Sequence, residues 1–181
     1  MRALIVFGSR YGSSAEIAEE IGKIMGNEGV EVDLVDLRKN KIENIHHYDL
    51  VIVGSGIKMA KWTKEPLKFL KKNKSALKDK KVALFVSCGA PLGGKEKIDE
   101  AWELYLKKIA SENLSGEPVS MGLFGGVFDP DANHGLMYKM AMKMAKKGYE
   151  KQGVDTSKRY DYRNWGEIRE WASKLAEIAK E

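Results

Sequence analysis

Short apolar runs alternate with amphipathic stretches along the whole chain. Ala3-Leu-Ile-Val-Phe7, closed by Gly8, has the length and β-branching of a buried strand. Ser13-Ser-Ala-Glu16 reads as a capping box, with Ser13 accepting from the Glu16 backbone N–H. Behind it Ile17, Ile21, Ile24 and Met25 recur on one helix face, which runs out between Gly26 and Gly29. Val30 to Asp36 alternates as a second strand. Asp49-Leu-Val-Ile-Val-Gly54 is apolar throughout, as a strand buried on both faces of a parallel sheet is. A helix follows from about Lys64, with Pro66 tolerated in its first turn. Val82-Ala-Leu-Phe-Val86 predicts a fourth strand, Lys95 to Ser111 a charged helix, and Val119 to Val127 a glycine-weakened fifth strand. Asn164 caps the last helix, whose apolar face is Ile168, Trp171, Leu175 and Ile178.

Strands alternating with helices predict one α/β domain over residues 1–181, with a parallel sheet and right-handed crossovers. The stretch 128–161 is far longer than a direct strand-to-helix connection requires. It is therefore an insertion, and insertions on a rigid scaffold often carry function.

Composition narrows the classes. At 181 residues, 43% hydrophobic and 31% charged, the chain is long enough for its own core and unlike a disordered or collagenous sequence. One cysteine, Cys88, excludes a disulfide scaffold and fits a reducing compartment. The chain opens directly on a strand without a signal-peptide pattern, and no apolar run reaches membrane-span length. A cytoplasmic protein is expected, with peripheral membrane contact left open. The net charge of +5 concentrates between Lys58 and Lys81, where ten lysines face two acids, Glu65 and Asp79. A solvated face accounts for that run, and no nucleic-acid partner is implied.

In an open parallel sheet, ligands bind beyond the carboxyl ends of the strands where strand order reverses. Three segments leave such ends: 8–14, 54–62 and 87–94. The first, Gly8-Ser-Arg-Tyr-Gly-Ser-Ser14, offers hydroxyls, glycine and a helix N-terminus, which together suit a phosphate. Competing motifs fail. Gly54-Ser-Gly-Ile-Lys-Met59 lacks the third glycine of a dinucleotide fingerprint. Gly89-Ala-Pro-Leu-Gly-Gly-Lys-Glu96 satisfies G-x-x-x-x-G-K but ends on Glu96, where magnesium needs a hydroxyl. Asp129, Asp131 and Asn133 start like a calcium loop, but its twelfth position is Met140. His46 and His47 lie in a polar segment, and His134 has no partner in the sequence.

Alternating strands with a hydroxyl-rich first loop resemble the flavodoxin fold, whose phosphate loop reads [ST]-x-T-G-x-[ST]. Ser9-Arg-Tyr-Gly-Ser-Ser14 keeps the first hydroxyl, the glycine and the last hydroxyl, with Tyr11 in place of threonine and Arg10 as an added cation. The insertion followed by Asp155-Thr-Ser-Lys158, Tyr162, Asn164 and Trp165 is similar to the flavodoxin-type, menaquinone-dependent protoporphyrinogen oxidase family, which carries D-T-x-K-x-x-x-Y-x-[DN]-W there. Lys58 and Trp62 also match a basic and an aromatic position of that family.

The resemblance implies a three-layer sandwich with a five-stranded parallel sheet, order 2-1-3-4-5, and FMN as cofactor. It implies an oxidoreductase passing electrons from a reduced small-molecule substrate, such as a porphyrinogen, to a quinone. A non-enzymatic electron carrier and a quinone reductase stay open as alternatives. The phosphate would sit on Ser9, Arg10, Tyr11, Gly12, Ser13 and Ser14. The ring would lie between Ser55, Gly56, Ile57, Lys58 and Trp62 on one side and Ser87, Cys88, Gly89, Ala90 and Gly94 on the other. Trp62 is the candidate to stack on the ring. The second loop has no aromatic, which leaves the other face open to a substrate. Lys58 would tune the flavin potential by stabilising reduced, anionic flavin, and no acid–base residue declares itself. Within 133–148, Lys139, Lys143, Lys146 and Lys147 form a basic stripe beside Leu136, Met137, Met140, Met142 and Met144. Such a helix suits an anionic membrane, a bound quinone or porphyrin, a partner, or plain cover over the sheet.

Overall fold

A computed structural model describes residues 1–132, 134–151, 153 and 155–181, without the side chains of residues 137, 141, 144 and 145. Five parallel strands, β1 (Arg2–Gly8), β2 (Glu31–Asp36), β3 (Leu50–Lys58), β4 (Lys81–Cys88) and β5 (Ser120–Gly125), form the main sheet in the order β2-β1-β3-β4-β5. That is the expected order, with its reversal between β1 and β3. The pairing sets Val6 opposite Val35 on one side and Val53 on the other.

Period-2 alternation sends successive side chains to opposite faces of the sheet. Ala3, Ile5 and Phe7 of β1 pack with α1 (Ser13–Asn27) and the C-terminal helix α5 (Trp165–Lys180), whose Ile17, Ile21, Ile168 and Leu175 are fully buried. Leu4 and Val6 join the opposite core, which holds Phe69 and Leu70 of α2 (Lys64–Leu77) and Leu106 of α3 (residues 94–113). Helix α3 runs through Gly94–Trp102, a π-helical turn at Glu103–Lys107, and Lys108–Asn113. Gly54 is where the ring of Phe85 crosses β3, and a Cβ there would lie 2.1 Å from the ring.

Two strand ends differ from expectation. β3 continues past Gly54 to Lys58, then reverses through Met59 (φ 49°) and Ala60 (φ 58°) into a two-residue strand, Lys61–Trp62. Positive φ at both central residues is the tight hairpin turn that matches strand twist, and it costs roughly 1 kcal/mol or more at each non-glycine position. β4 likewise carries Ser87 and Cys88 inside the strand. The positions read as loops therefore stand on rigid strand ends.

The insertion leaves β5 through Val127–Phe128 and returns through Tyr160–Asp161, and these pair antiparallel and close its base. Between them lies helix α4 (Leu136–Glu150). Asn133, the third residue of the calcium-like pattern and the start of the expected 133–148 helix, lies outside the described residues, as do the side chains of Met137 and Met144. No helix among the described residues is long and apolar enough to cross a membrane.

Candidate functional site

At the carboxyl ends of β1, β3 and β4 a solvent-open cleft of about 170 Å³ opens. Its phosphate-loop side is built by backbone geometry. Gly12, at φ 98°, is the residue that caps α1, and its carbonyl accepts from Ala15 and Glu16 N–H at 2.9 and 3.0 Å. Ser9 Oγ accepts from Gly12 N–H at 3.1 Å. The expected capping box is therefore absent: Ser13 stands inside the helix, and the glycine's left-handed conformation places the cap one residue earlier. The Ser13 and Ser14 hydroxyls stay available at the cleft wall. The backbone N–H groups of Arg10, Tyr11, Ser13 and Ser14 have no acceptor among the described residues. Arg10 and Lys58 line the same cleft and make no ion pair there among those residues.

The floor is rigid. Ser55, fully buried, shares a 2.9 Å hydroxyl contact with Thr63 and accepts from Thr63 N–H at 2.9 Å. Thr63 Oγ1 donates to Gly8 O, so the ends of β1 and β3 and the start of α2 are tied together. Ser87 donates to Gly125 O at 3.0 Å and fixes β4 to β5. Cys88 is buried, and burial pushes its thiol pKa up, so it is a neutral thiol rather than a reactive thiolate.

Of the residues named from the sequence, Ser9, Arg10, Tyr11, Ser13, Ser14, Gly56, Ile57, Lys58, Ser87, Cys88 and Gly89 line the cleft. Gly12 shapes the loop, and Ser55 lies beneath the wall. Ala90 faces a neighbouring cavity, and Gly94, at the start of α3, lines neither. Trp62 is a correction. The hairpin turn folds it back beside Ile57 and into the core under α3, 5% exposed, with its indole N–H donating to Tyr105 O at 2.7 Å. It does not reach the cleft.

Sequence reasoning offered the insertion helix, Met142 included, as a docking or covering element, but it did not place Phe128, Tyr149 or Tyr162 at the cleft. Phe128, Met142 and Tyr149 of the insertion and Tyr162 just after it line the cleft. The lack of an aromatic in 87–94 therefore leaves the cleft less open on that side than expected. Tyr11 and His134, far apart in sequence, meet here with Tyr138. Their ring centroids lie 4.6 to 5.2 Å apart, and Tyr138 donates to Asp129 O at 2.7 Å. The residue that departs from the phosphate-loop pattern is thus the one that grips the insertion. At the far end Arg163, its side chain 3% exposed, binds Asp161 and Glu16 and lies 4.6 Å over Trp165.

Residues 4–155 match the model of the flavodoxin domain family. The chain belongs to that family. It is 24% identical, over 98% of its length and 96% of the relative's, to the protoporphyrinogen IX dehydrogenase [quinone] of Escherichia coli (strain K12). A solved flavodoxin from the domain Archaea superposes with a TM-score of 0.58 at 19% identity, all of both chains being covered. The oxidised flavodoxin 1 of Bacillus cereus gives 0.52 at 19% identity, over 69% of this chain and 84% of its own. These likenesses show the fold.

FMN is the cofactor of a flavodoxin domain, and the cleft suits it. Unpaired N–H groups, hydroxyls and Arg10 stand together at a helix N-terminus, an arrangement that favours an anion. The walls come close to the backbone at glycines: a Cβ on Gly56 would lie 3.1 Å from Ser14 Oγ, and one on Gly89 3.2 Å from Tyr149 Oη.

Proposed function

We propose that the protein is a cytoplasmic FMN-dependent oxidoreductase, one domain over 1–181, that passes electrons from a porphyrinogen-type substrate to a quinone. The observation that carries this reading is the insertion. A carrier working by contact with partner proteins needs an exposed flavin edge, whereas here Phe128, Met142, Tyr149 and Tyr162 wall the cleft with apolar and aromatic surface. The similarity to a protoporphyrinogen dehydrogenase over nearly the whole of both chains supports it.

FMN, when bound, supplies the electron-accepting and electron-donating chemistry. The N–H groups of Arg10, Tyr11, Ser13 and Ser14, the Arg10 side chain and the hydroxyls of Ser9, Ser13 and Ser14 would hold its phosphate. Lys58 places a positive charge at the cleft wall, where it would stabilise negative charge on the bound cofactor. Phe128 and Tyr149 of the insertion narrow the cleft and would reduce the water contact of a bound ring. Burial raises the pKa of the Tyr149 and Tyr162 hydroxyls, so both keep their protons at neutral pH. Substrate carboxylates suit Lys58 and the exposed lysines of α4, and a flat apolar ring suits Met142 and the tyrosines.

The outward stripe of α4, Leu136, Met140, Lys143 and Lys147, gives the same helix a face for an anionic membrane. A lipid-soluble quinone would reach the cleft from there. Salt-sensitive co-sedimentation with anionic vesicles is the expected behaviour, and its absence would remove the membrane contact from the account. The enzymatic reading is tested by anaerobic turnover: FMN-loaded protein should oxidise protoporphyrinogen with a menaquinone analogue as acceptor, in proportion to bound FMN. Loaded protein that leaves both unchanged would overturn it.

A further inference from the structure

The cleft shares a wall with the neighbouring cavity, a solvent-open space of about 860 Å³ at the start of α3 that Lys97, Glu100 and Tyr105 also line. Five residues border both: Ile57, Cys88, Gly89, Leu92 and Tyr149. Four belong to the strand ends and the loop after β4. Tyr149 alone comes from the insertion.

Its placement is specific. The ring stands edge-on to Phe128, 5.0 Å between centroids at 89°, the favoured edge-to-face arrangement. Phe128 is buried at the base of the insertion, so the ring is braced from behind. Its hydroxyl reaches over Gly89, where even a methyl group would be crowded at 3.2 Å. That hydroxyl has no hydrogen-bond partner among the described residues, although the side chain is half-buried. Tyr138 and Met142 project from the same face of α4, whereas Leu136 and Met140 are 75% and 58% exposed on the other. The helix is therefore oriented with Tyr149 inward.

We propose that Tyr149 is a cofactor-contact residue: its ring is the aromatic cover of bound FMN and the partition between the FMN cleft and the second cavity. The insertion thereby supplies the flat surface that neither sheet-end loop provides, since Trp62 is committed to the core. The position of α4 sets access to the flavin ring. The inference rests on FMN as cofactor and is independent of the porphyrinogen and quinone assignments, so a failed turnover assay leaves it standing.

The test compares FMN-loaded wild type with Tyr149→Phe, Tyr149→Leu and Met140→Ala, reading the FMN dissociation constant and the iodide quenching of bound-flavin fluorescence. Tyr149→Leu should weaken FMN binding by about 3- to 10-fold, the worth of one aromatic contact, and raise iodide quenching. Tyr149→Phe and Met140→Ala should match wild type in both. Wild-type behaviour in Tyr149→Leu would overturn the proposal. So would an equal loss in Met140→Ala, which would mark a general loosening of α4. Arg10→Ala separates the two levels. If it weakens FMN while Tyr149→Leu does not, the Tyr149 proposal alone fails; if wild type binds no FMN, the cofactor reading fails with it.

Discussion

Arg163 ties the end of the insertion to the first turn of α1, beside the phosphate loop. Its NH1 lies 2.7 Å from Glu16, its NH2 2.5 Å from Asp161, and its Nε donates to Asp161 at 2.8 Å. The Arg163 side chain is only 3% exposed, but Asp161 is 29% and Glu16 55% exposed. Removing one partner of a fully buried pair costs about 3–5 kcal/mol. Because both carboxylates keep water contact here, about 2–3 kcal/mol is expected for Arg163→Met. For a chain of this size that lowers Tm by roughly 4–12 °C.

The loss should depend on pH. Asp161 is held below the ordinary carboxylate range, first by the side-chain hydrogen bond from Arg163. A depressed folded-state pKa contributes stability above the unfolded value of about 4 and loses it as pH falls through the folded value. Urea titrations of apo protein should therefore show the widest gap between wild type and variant near neutrality, narrowing below about pH 4. FMN binding should weaken too, since Tyr162 is the neighbour of Arg163 and lines the cleft. A gap under about 0.5 kcal/mol at pH 7, the scale of an ordinary surface substitution, or a gap unchanged at pH 3, would refute the reasoning.

Lys58→Ala should lower the two-electron midpoint of bound FMN by about 20 mV, from roughly 1 kcal/mol of lost charge stabilisation; an unchanged spectroelectrochemical midpoint would remove Lys58 from the flavin's surroundings. Trp62→Phe forfeits the bond to Tyr105 O and should cost about 1 kcal/mol of stability with FMN affinity intact, whereas weakened FMN binding would return Trp62 to the cleft. In Gly125→Ala the new methyl would lie 2.0 Å from Tyr162 O, so about 1–3 kcal/mol of destabilisation and poorer FMN retention are expected. A variant with normal melting and normal binding would contradict the account of how the insertion is seated.

The sheet was legible because β1, β3 and β4 are each built on a short apolar run (3–7, 50–53 and 82–86), with helical stripes between the runs, and Asn164 caps α5 as expected, accepting from Gly166 and Glu167 N–H. The glycine- and hydroxyl-rich loop at 8–14 was legible in composition but not in its cap, because backbone conformation at Gly12 decides where α1 begins. Trp62 misled because the turn before it is built from Met59 and Ala60, which carry none of the Asn-Gly chemistry that announces such a hairpin. Without the turn, the chain direction at Trp62 reads outward. Tyr149 was invisible for a different reason. Its partners, Gly89 and Phe128, lie 60 and 21 residues away in sequence, and only the pairing of Val127–Phe128 with Tyr160–Asp161 folds the insertion over the cleft.

The most direct test of the central claim, a walled flavin working as an oxidoreductase, is anaerobic photoreduction of the FMN-loaded protein followed by visible absorbance. The account predicts passage from oxidised to fully reduced flavin with little long-wavelength absorbance from a one-electron-reduced form. A strong, long-lived one-electron-reduced species would contradict it and mark the protein as an electron carrier.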